Sequence, residues 1–148
     1  MQKKLKTEKI YILKVILDKM VQQKESVLLN RWLSEFHRDK LYWTRVRLGI
    51  ADNPEEAKYY QVALKWADAV VVADGEILIV ETKLTNPSAA IGQIEIYKKL
   101  LKVTPRFKTY WEWPVKLIIV CPILDVATAE ICSERGIIYD VWKPEDWD

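Results

Sequence analysis

Asp68, Glu81 and Lys83 are the residues whose types and spacing suit chemistry in this chain. They lie in ADAVVVADGEILIVETK, residues 67–83, two acids and an amine around runs of β-branched residues. If the two acids come side by side, their like charges destabilise the pairing. One carboxylate must then hold a proton, or a cation must sit between them. Hard oxygen ligands with an open side and an ammonium nearby suit Mg²⁺ or Mn²⁺ better than zinc. Lys83 follows Glu81 by two residues on the same strand face, roughly 7 Å along the strand. That offsets part of the charge but is too far to bridge both acids. Taken alone, Glu-x-Lys is a weak motif, and a solvated strand end with scattered charges explains it equally well.

What would bring the acids together is Asp74-Gly75. An Asp-Gly pair between β-branched runs is a strong signal for a two-residue hairpin turn, whose central residues take positive φ. The turn fixes the register: Ala73 faces Glu76, Val72 faces Ile77, Val71 faces Leu78, Val70 faces Ile79, Ala69 faces Val80 and Asp68 faces Glu81. Alternation then puts Asp68, Val70, Val72, Ile77, Ile79, Glu81 and Lys83 on one face. Ala69, Val71, Leu78 and Val80 occupy the other, so the hairpin is apolar on both sides and central.

Around this hairpin the chain reads as alternating helices and strands. Residues 3–22, with Leu5, Ile10, Tyr11, Leu13, Ile16, Leu17 and Met20, fit a basic helix, although Ile10 to Leu17 also fits a strand. Contact with a membrane or nucleic acid is one reading. The favoured reading is an added helix on the core or on a second subunit. Lys24 to Phe36 is expected as a second helix, with Glu25 the acid on its apolar stripe. Such an acid either caps the first turn or points into a site, and capping is preferred. His37, at the helix end, reads as a dipole partner rather than a base.

Leu41 to Leu48 alternates as a strand carrying Trp43, Arg45 and Arg47 on one side. Its guanidinium groups suit phosphates, or are simply the surface of an edge strand. Asn53-Pro54-Glu55-Glu56 starts a helix expected to run to about Trp66. Asn86-Pro87 starts another, to about Lys102, in which Gln93 and Tyr97 are four apart and share a face near Lys98. Strand Val115 to Cys121, helix Asp125 to Glu134 stopped by Gly136, and strand Ile137 to Trp142 complete an α/β sandwich with a mixed sheet.

Composition sets the bounds. The 148 residues are 50% hydrophobic and 30% charged, which suits one globular domain with a full core. A net charge of +2 means that any nucleic-acid surface must be local. Cys121 and Cys132 sit in apolar contexts and read as buried thiols of a reducing, cytoplasmic compartment. With one distant histidine they do not form a zinc site. No signal peptide is expected from the polar, basic start, and no apolar run is long enough to span a membrane.

With Asp68, Glu81-Thr82-Lys83 and Gln93-x-x-x-Tyr97 in that order, the chain resembles the PD-(D/E)XK, or restriction-endonuclease-like, nuclease superfamily. The Gln-x-x-x-Tyr places it nearest the RecB-like branch, although alanine at 67 replaces the usual proline. The resemblance implies an αβββαβ core with a mixed central sheet flanked by helices, with residues 1–22 as an accessory helix and 23–148 as the nuclease domain. It implies Mg²⁺- or Mn²⁺-dependent hydrolysis of phosphodiesters, in DNA rather than RNA. Asp68, Glu81 and the Thr82 carbonyl would hold the ion, Lys83 would orient or deprotonate water, Gln93 would hold water or a phosphate oxygen, and Tyr97 would support it. Glu25 would be the first-helix glutamate by position; Arg45, Arg47 and Lys98 are candidate phosphate contacts. A compact nuclease has little room for a recognition domain, so a homodimer or a larger protein partner is expected. A nuclease-like module that binds nucleic acid or a protein without catalysis is the alternative.

Overall fold

The computed structural model describes residues 1–50, 53, 55, 56, 58 and 65–148. Its elements are α1 (Gln2–Phe36), β1 (Leu41–Leu48), β2 (Lys65–Ala73), β3 (Glu76–Thr82), α2 (Ala89–Leu101), a 3₁₀ turn (Pro105–Tyr110), β4 (Val115–Cys121), α3 (Val126–Arg135) and β5 (Ile137–Val141). The strands form one five-stranded sheet in the order β1-β2-β3-β4-β5. β1, β2 and β3 are antiparallel neighbours, while β3-β4 and β4-β5 run parallel. This is the mixed α/β sheet expected from the sequence.

Asp74 and Gly75 form the turn with φ of +51° and +81°, as a two-residue hairpin requires. The register follows from it, from Ala73↔Glu76 to Ala69↔Val80. Both faces of the hairpin are buried. On one, Leu28, Leu29, Trp32 and Leu33 of α1 pack on Ala69, Val71, Leu78, Val80, Ile118 and Val120. On the other, Ala90, Ile94, Tyr97 and Leu101 of α2 pack with Val70, Ile77, Ile79, Leu117, Ile119 and Phe107. Each fully buried aliphatic side chain in these layers contributes roughly 1.5–3 kcal/mol. The indole N–H of Trp32 donates to Asp140 at 2.8 Å and ties α1 to β5.

Several sequence expectations need correction. The two N-terminal helices are one helix of 35 residues, about 52 Å long at 1.5 Å per residue. No Gly or Pro interrupts residues 2–36, so the change of apolar stripe near residue 22 marks a change in what the helix touches, not a break. Nor does its first part pack on the core: Ile10, Leu13 and Leu17 are each 59% exposed. Trp66 lies in β2 rather than at a helix end. The helix expected before it starts as the sequence suggests, with the Glu56 N–H donating to Asn53 Oδ1 at 2.8 Å; most of its length lies outside the described residues. Asn86 does not cap α2. It adopts a φ of +52°, accepts the Ser88 hydroxyl, and leaves Ser88 at the N-cap position.

Candidate active site

The β2–β3 ladder ends at Ala69↔Val80, and beyond it the Asp68 side chain takes over the role of a backbone partner. Its Oδ2 accepts both the Thr82 N–H and the Thr82 hydroxyl, each at 2.8 Å. Strand alternation breaks at the same place, since Ala67 packs in the α2-side core and Ala69 in the α1-side core. The neighbouring Arg45 of β1 lies between the pairs Thr44↔Ala69 and Val46↔Ala67 and adopts a φ of +50°. A non-glycine residue there stores roughly 1–3 kcal/mol. Strain thus sits beside the acid.

Glu81 is 7% exposed, and its Oε2 is buried with no hydrogen-bond partner among the described residues. Burial first, and the neighbouring Asp68 second, push its carboxyl up to about 8, against an opposing pull from Lys83. Burial also raises Asp68, with the Thr82 bonds and Lys83 working the other way. These mutual effects place Asp68, Glu81 and Lys83 in one electrostatic neighbourhood. The Lys83 N–H donates to the Val120 carbonyl at 2.9 Å, which pins the start of the lysine side chain to the sheet.

Glu25 joins them from α1. It stands mid-helix, so it does not cap a first turn, and its Oε1 accepts a long 3.4 Å bond from the Leu84 N–H. Burial raises its carboxyl, with Leu84 and Lys83 opposing and Asp68 adding to the rise. Tyr97 is buried beneath α2, and its hydroxyl is raised by burial and then by the Glu81 and Asp68 charges. Gln93 remains exposed on the same helix, as does Lys98. His37 is not a dipole partner. Burial lowers its pKa, its Nδ1 lacks a partner among the described residues, and its ring centre lies 4.8 Å from that of Trp32 with the planes tilted by 52°.

Beside Glu25 and Asp68 opens a cleft of about 580 Å³. Glu25, Asp68 and Thr82 line it together with Gln22, Ser26 and Asn30 of α1 and with Thr44, Arg45 and Trp66 of the sheet. The Arg45 and Arg47 guanidinium groups lie 5.6 and 5.9 Å from the Trp66 ring centre. Sequence reasoning missed Gln22, Ser26, Asn30 and Trp66. The first three carried a signal, neutral polar residues at i, i+4 and i+8 of one helix.

The donor set matches a hard cation. Asp68 and Glu81 offer carboxylate oxygens, one of them buried and unpartnered, and the Thr82 carbonyl follows in the chain. Among the described residues no three His, Cys, Asp or Glu side chains converge to hold an ion unaided. Two carboxylates completed by water or substrate oxygens is the habit of Mg²⁺ rather than of structural zinc.

No family model and no curated protein matches the chain. Among solved structures it is similar to a repair endonuclease from Pyrococcus abyssi, at a TM-score of 0.52 and 19% identity over 80% of this chain and 46% of that one. The likeness is one of fold. An EndoMS-dsDNA2 complex is also similar, at a TM-score of 0.47 and 14% identity over 81% of this chain and 46% of the other. The chain therefore spans less than half the length of the solved proteins it matches.

Proposed function

We propose that the chain is a PD-(D/E)XK nuclease that hydrolyses phosphodiester bonds in DNA with Mg²⁺ or Mn²⁺. The observation that carries this is the burial of Asp68 and Glu81 together at the open end of the hairpin, with Glu81 Oε2 unpartnered. DNA as substrate is supported by the fold shared with a repair endonuclease. Asp68, Glu81 and the Thr82 carbonyl would hold the cation. When bound, such a cation acidifies a water and stabilises charge on the transferring phosphoryl group. Lys83 would orient water and counter negative charge as it develops. Thr82, through its N–H and hydroxyl, holds Asp68 in place. Glu25 accepts from Leu84 at the rim, and Tyr97 closes the site behind Glu81. Gln93 would reach a water or phosphate oxygen from the exposed start of α2, as in the Gln-x-x-x-Tyr branch. Arg45 and Arg47 beside the cleft, and Lys98 on α2, are the proposed phosphate contacts.

The test is incubation of the chain with labelled single-stranded DNA, duplex DNA and RNA, in Mg²⁺, in Mn²⁺ and in EDTA. Cleavage of DNA in either metal and not in EDTA is the expected result. Binding of DNA without cleavage under every condition would instead favour the non-catalytic module.

The exposed half of α1 supports a second copy as partner. In an antiparallel pair of these helices centred between Leu13 and Lys14, Glu8 comes level with Lys19 of the partner subunit, and the two residues share one face of the helix. The apolar residues on the face that carries Glu8 and Lys19, Ile12 and Val15 among them, are then covered by the second copy. Light scattering is expected to give the mass of two chains. Glu8→Lys should raise the dissociation constant roughly tenfold, because each symmetric ion pair becomes a repulsion of a few tenths of a kcal/mol. Adding Lys19→Glu should restore it. A single-chain mass at micromolar concentration would contradict the dimer.

A further inference from the structure

The cleft beside Glu25 and Asp68 has a lining that suits more than a phosphate. One wall is the row Gln22, Ser26 and Asn30, each a turn further along α1, with about 6 Å between steps. These side chains are neutral and carry both donors and acceptors, which suits the edge of a base better than a phosphate oxygen. The sheet contributes Trp66 to the same cleft, a large aromatic ring 46% exposed. The Arg45 and Arg47 guanidinium groups lie 5.6 and 5.9 Å from the ring centre. Arg45 reaches that position with a φ of +50°, at the point where the β1–β2 pairing skips from Thr44↔Ala69 to Val46↔Ala67. Asp68, Glu25 and Thr82 line the same cleft.

We infer that this cleft takes the base of one nucleotide lying outside a duplex stack, with Trp66 as stacking platform and Gln22, Ser26 and Asn30 against the base edge. The inference rests on the nuclease reading, since it assumes that the phosphate attached to that nucleotide lies at the acids. A base inside a duplex is covered on both faces by its neighbours and cannot meet Trp66. A single strand offers such a base directly, and a duplex with one unpaired nucleotide offers it by extrusion. Aromatic stacking of this kind tolerates any base because each has a π-face, while amides on the wall supply preference among them.

The experiment uses the Lys83→Ala chain in Mg²⁺, in which slow turnover leaves the probe intact during the reading. Three DNA probes carry 2-aminopurine: in a single strand, as the one unpaired nucleotide of a duplex, and in a fully paired duplex. The expected result is quenching of 2-aminopurine and at least tenfold tighter binding for one or both of the first two probes, relative to the paired duplex. If only the single strand shows it, the source is a single strand; if the duplex with an unpaired nucleotide shows it too, extrusion also serves. Trp66→Ala should abolish the quenching and weaken those probes about tenfold while leaving the paired duplex unchanged, and Trp66→Phe should retain most of both. A merely structural role for Trp66 would weaken all three probes alike. Equal binding of the three probes, a preference for the paired duplex, or unaltered quenching in Trp66→Ala overturns the inference and leaves the nuclease reading standing. Binding of none of the probes overturns both.

Discussion

Replacing Asp68 with asparagine is expected to slow DNA cleavage by a factor of about 10²–10³, because the site loses half of its fixed negative charge where the cation must bind. Asparagine keeps an oxygen that can accept the Thr82 N–H and hydroxyl bonds now made by Oδ2. The fold should therefore survive, and the thermal midpoint should change little. Raising the Mg²⁺ concentration should recover part of the rate, since the defect lies in holding the ion. Lys83→Ala is expected to lose a similar factor that extra Mg²⁺ does not recover, because the missing ammonium acts on water and on developing charge. The two changes act on one step, so the double variant should be far less impaired than the product of the single losses. Initial rates on a labelled strand across a Mg²⁺ series read all of this. Unchanged rates in either single variant would assign the cleavage to another site or to a contaminant.

The second large effect concerns stability in the absence of metal. Glu81 ordinarily titrates near 4.5 but is pushed to about 8 in the folded chain, first by burial and then by Asp68. Between those values the folded chain holds a proton that the unfolded chain has released. Protonation therefore stabilises the fold fully below about 4.5, and that stability is lost as pH rises through about 8. At 1.36 kcal/mol per unit the change is on the order of 5 kcal/mol. For a chain of this size that is roughly 10 °C in the thermal midpoint. In EDTA the parent is expected to melt progressively lower from pH 5 to pH 9, with Glu81→Gln melting nearly level and above the parent at pH 9. Asp68 is shifted in the same direction by burial, so a smaller slope should remain in that variant. Equal slopes in parent and variant would show that Glu81 titrates normally.

Much of this geometry was legible in the chain because it depends on short-range rules. Asp74-Gly75 with period-2 apolar residues on both sides dictates a turn and a register, and five ladder pairs follow it residue by residue. The register stops one step short of Asp68, where a side chain replaces backbone pairing, and no pattern of residue types marks that replacement. Glu25 was misplaced for a different reason. Its environment depends on whether α1 continues through residue 22, and continuity is decided by the absence of a breaker rather than by the changing apolar stripe. Once the helix is unbroken, Glu25 faces the acids instead of solvent at a helix start. Arg45 was read as a regular strand residue and candidate phosphate contact; the structure places it in the cleft wall with a positive φ, which at a non-glycine position leaves no trace in sequence. The cleft was illegible altogether. It joins residues 22–30 to residues 44–68, and only packing brings them together. Gln93 shows the converse, a motif position recognisable by spacing whose side chain stands exposed.

The central claim is that a hairpin turn places two buried acids where a divalent cation completes them. Anomalous X-ray scattering from crystals soaked in Mn²⁺ tests it most directly. The account predicts a peak bound by oxygens of Asp68 and Glu81 at about 2.0–2.3 Å, reduced or absent in Asp68→Asn. A peak elsewhere on the chain with none between these carboxylates, or an unaltered peak in Asp68→Asn, would contradict it.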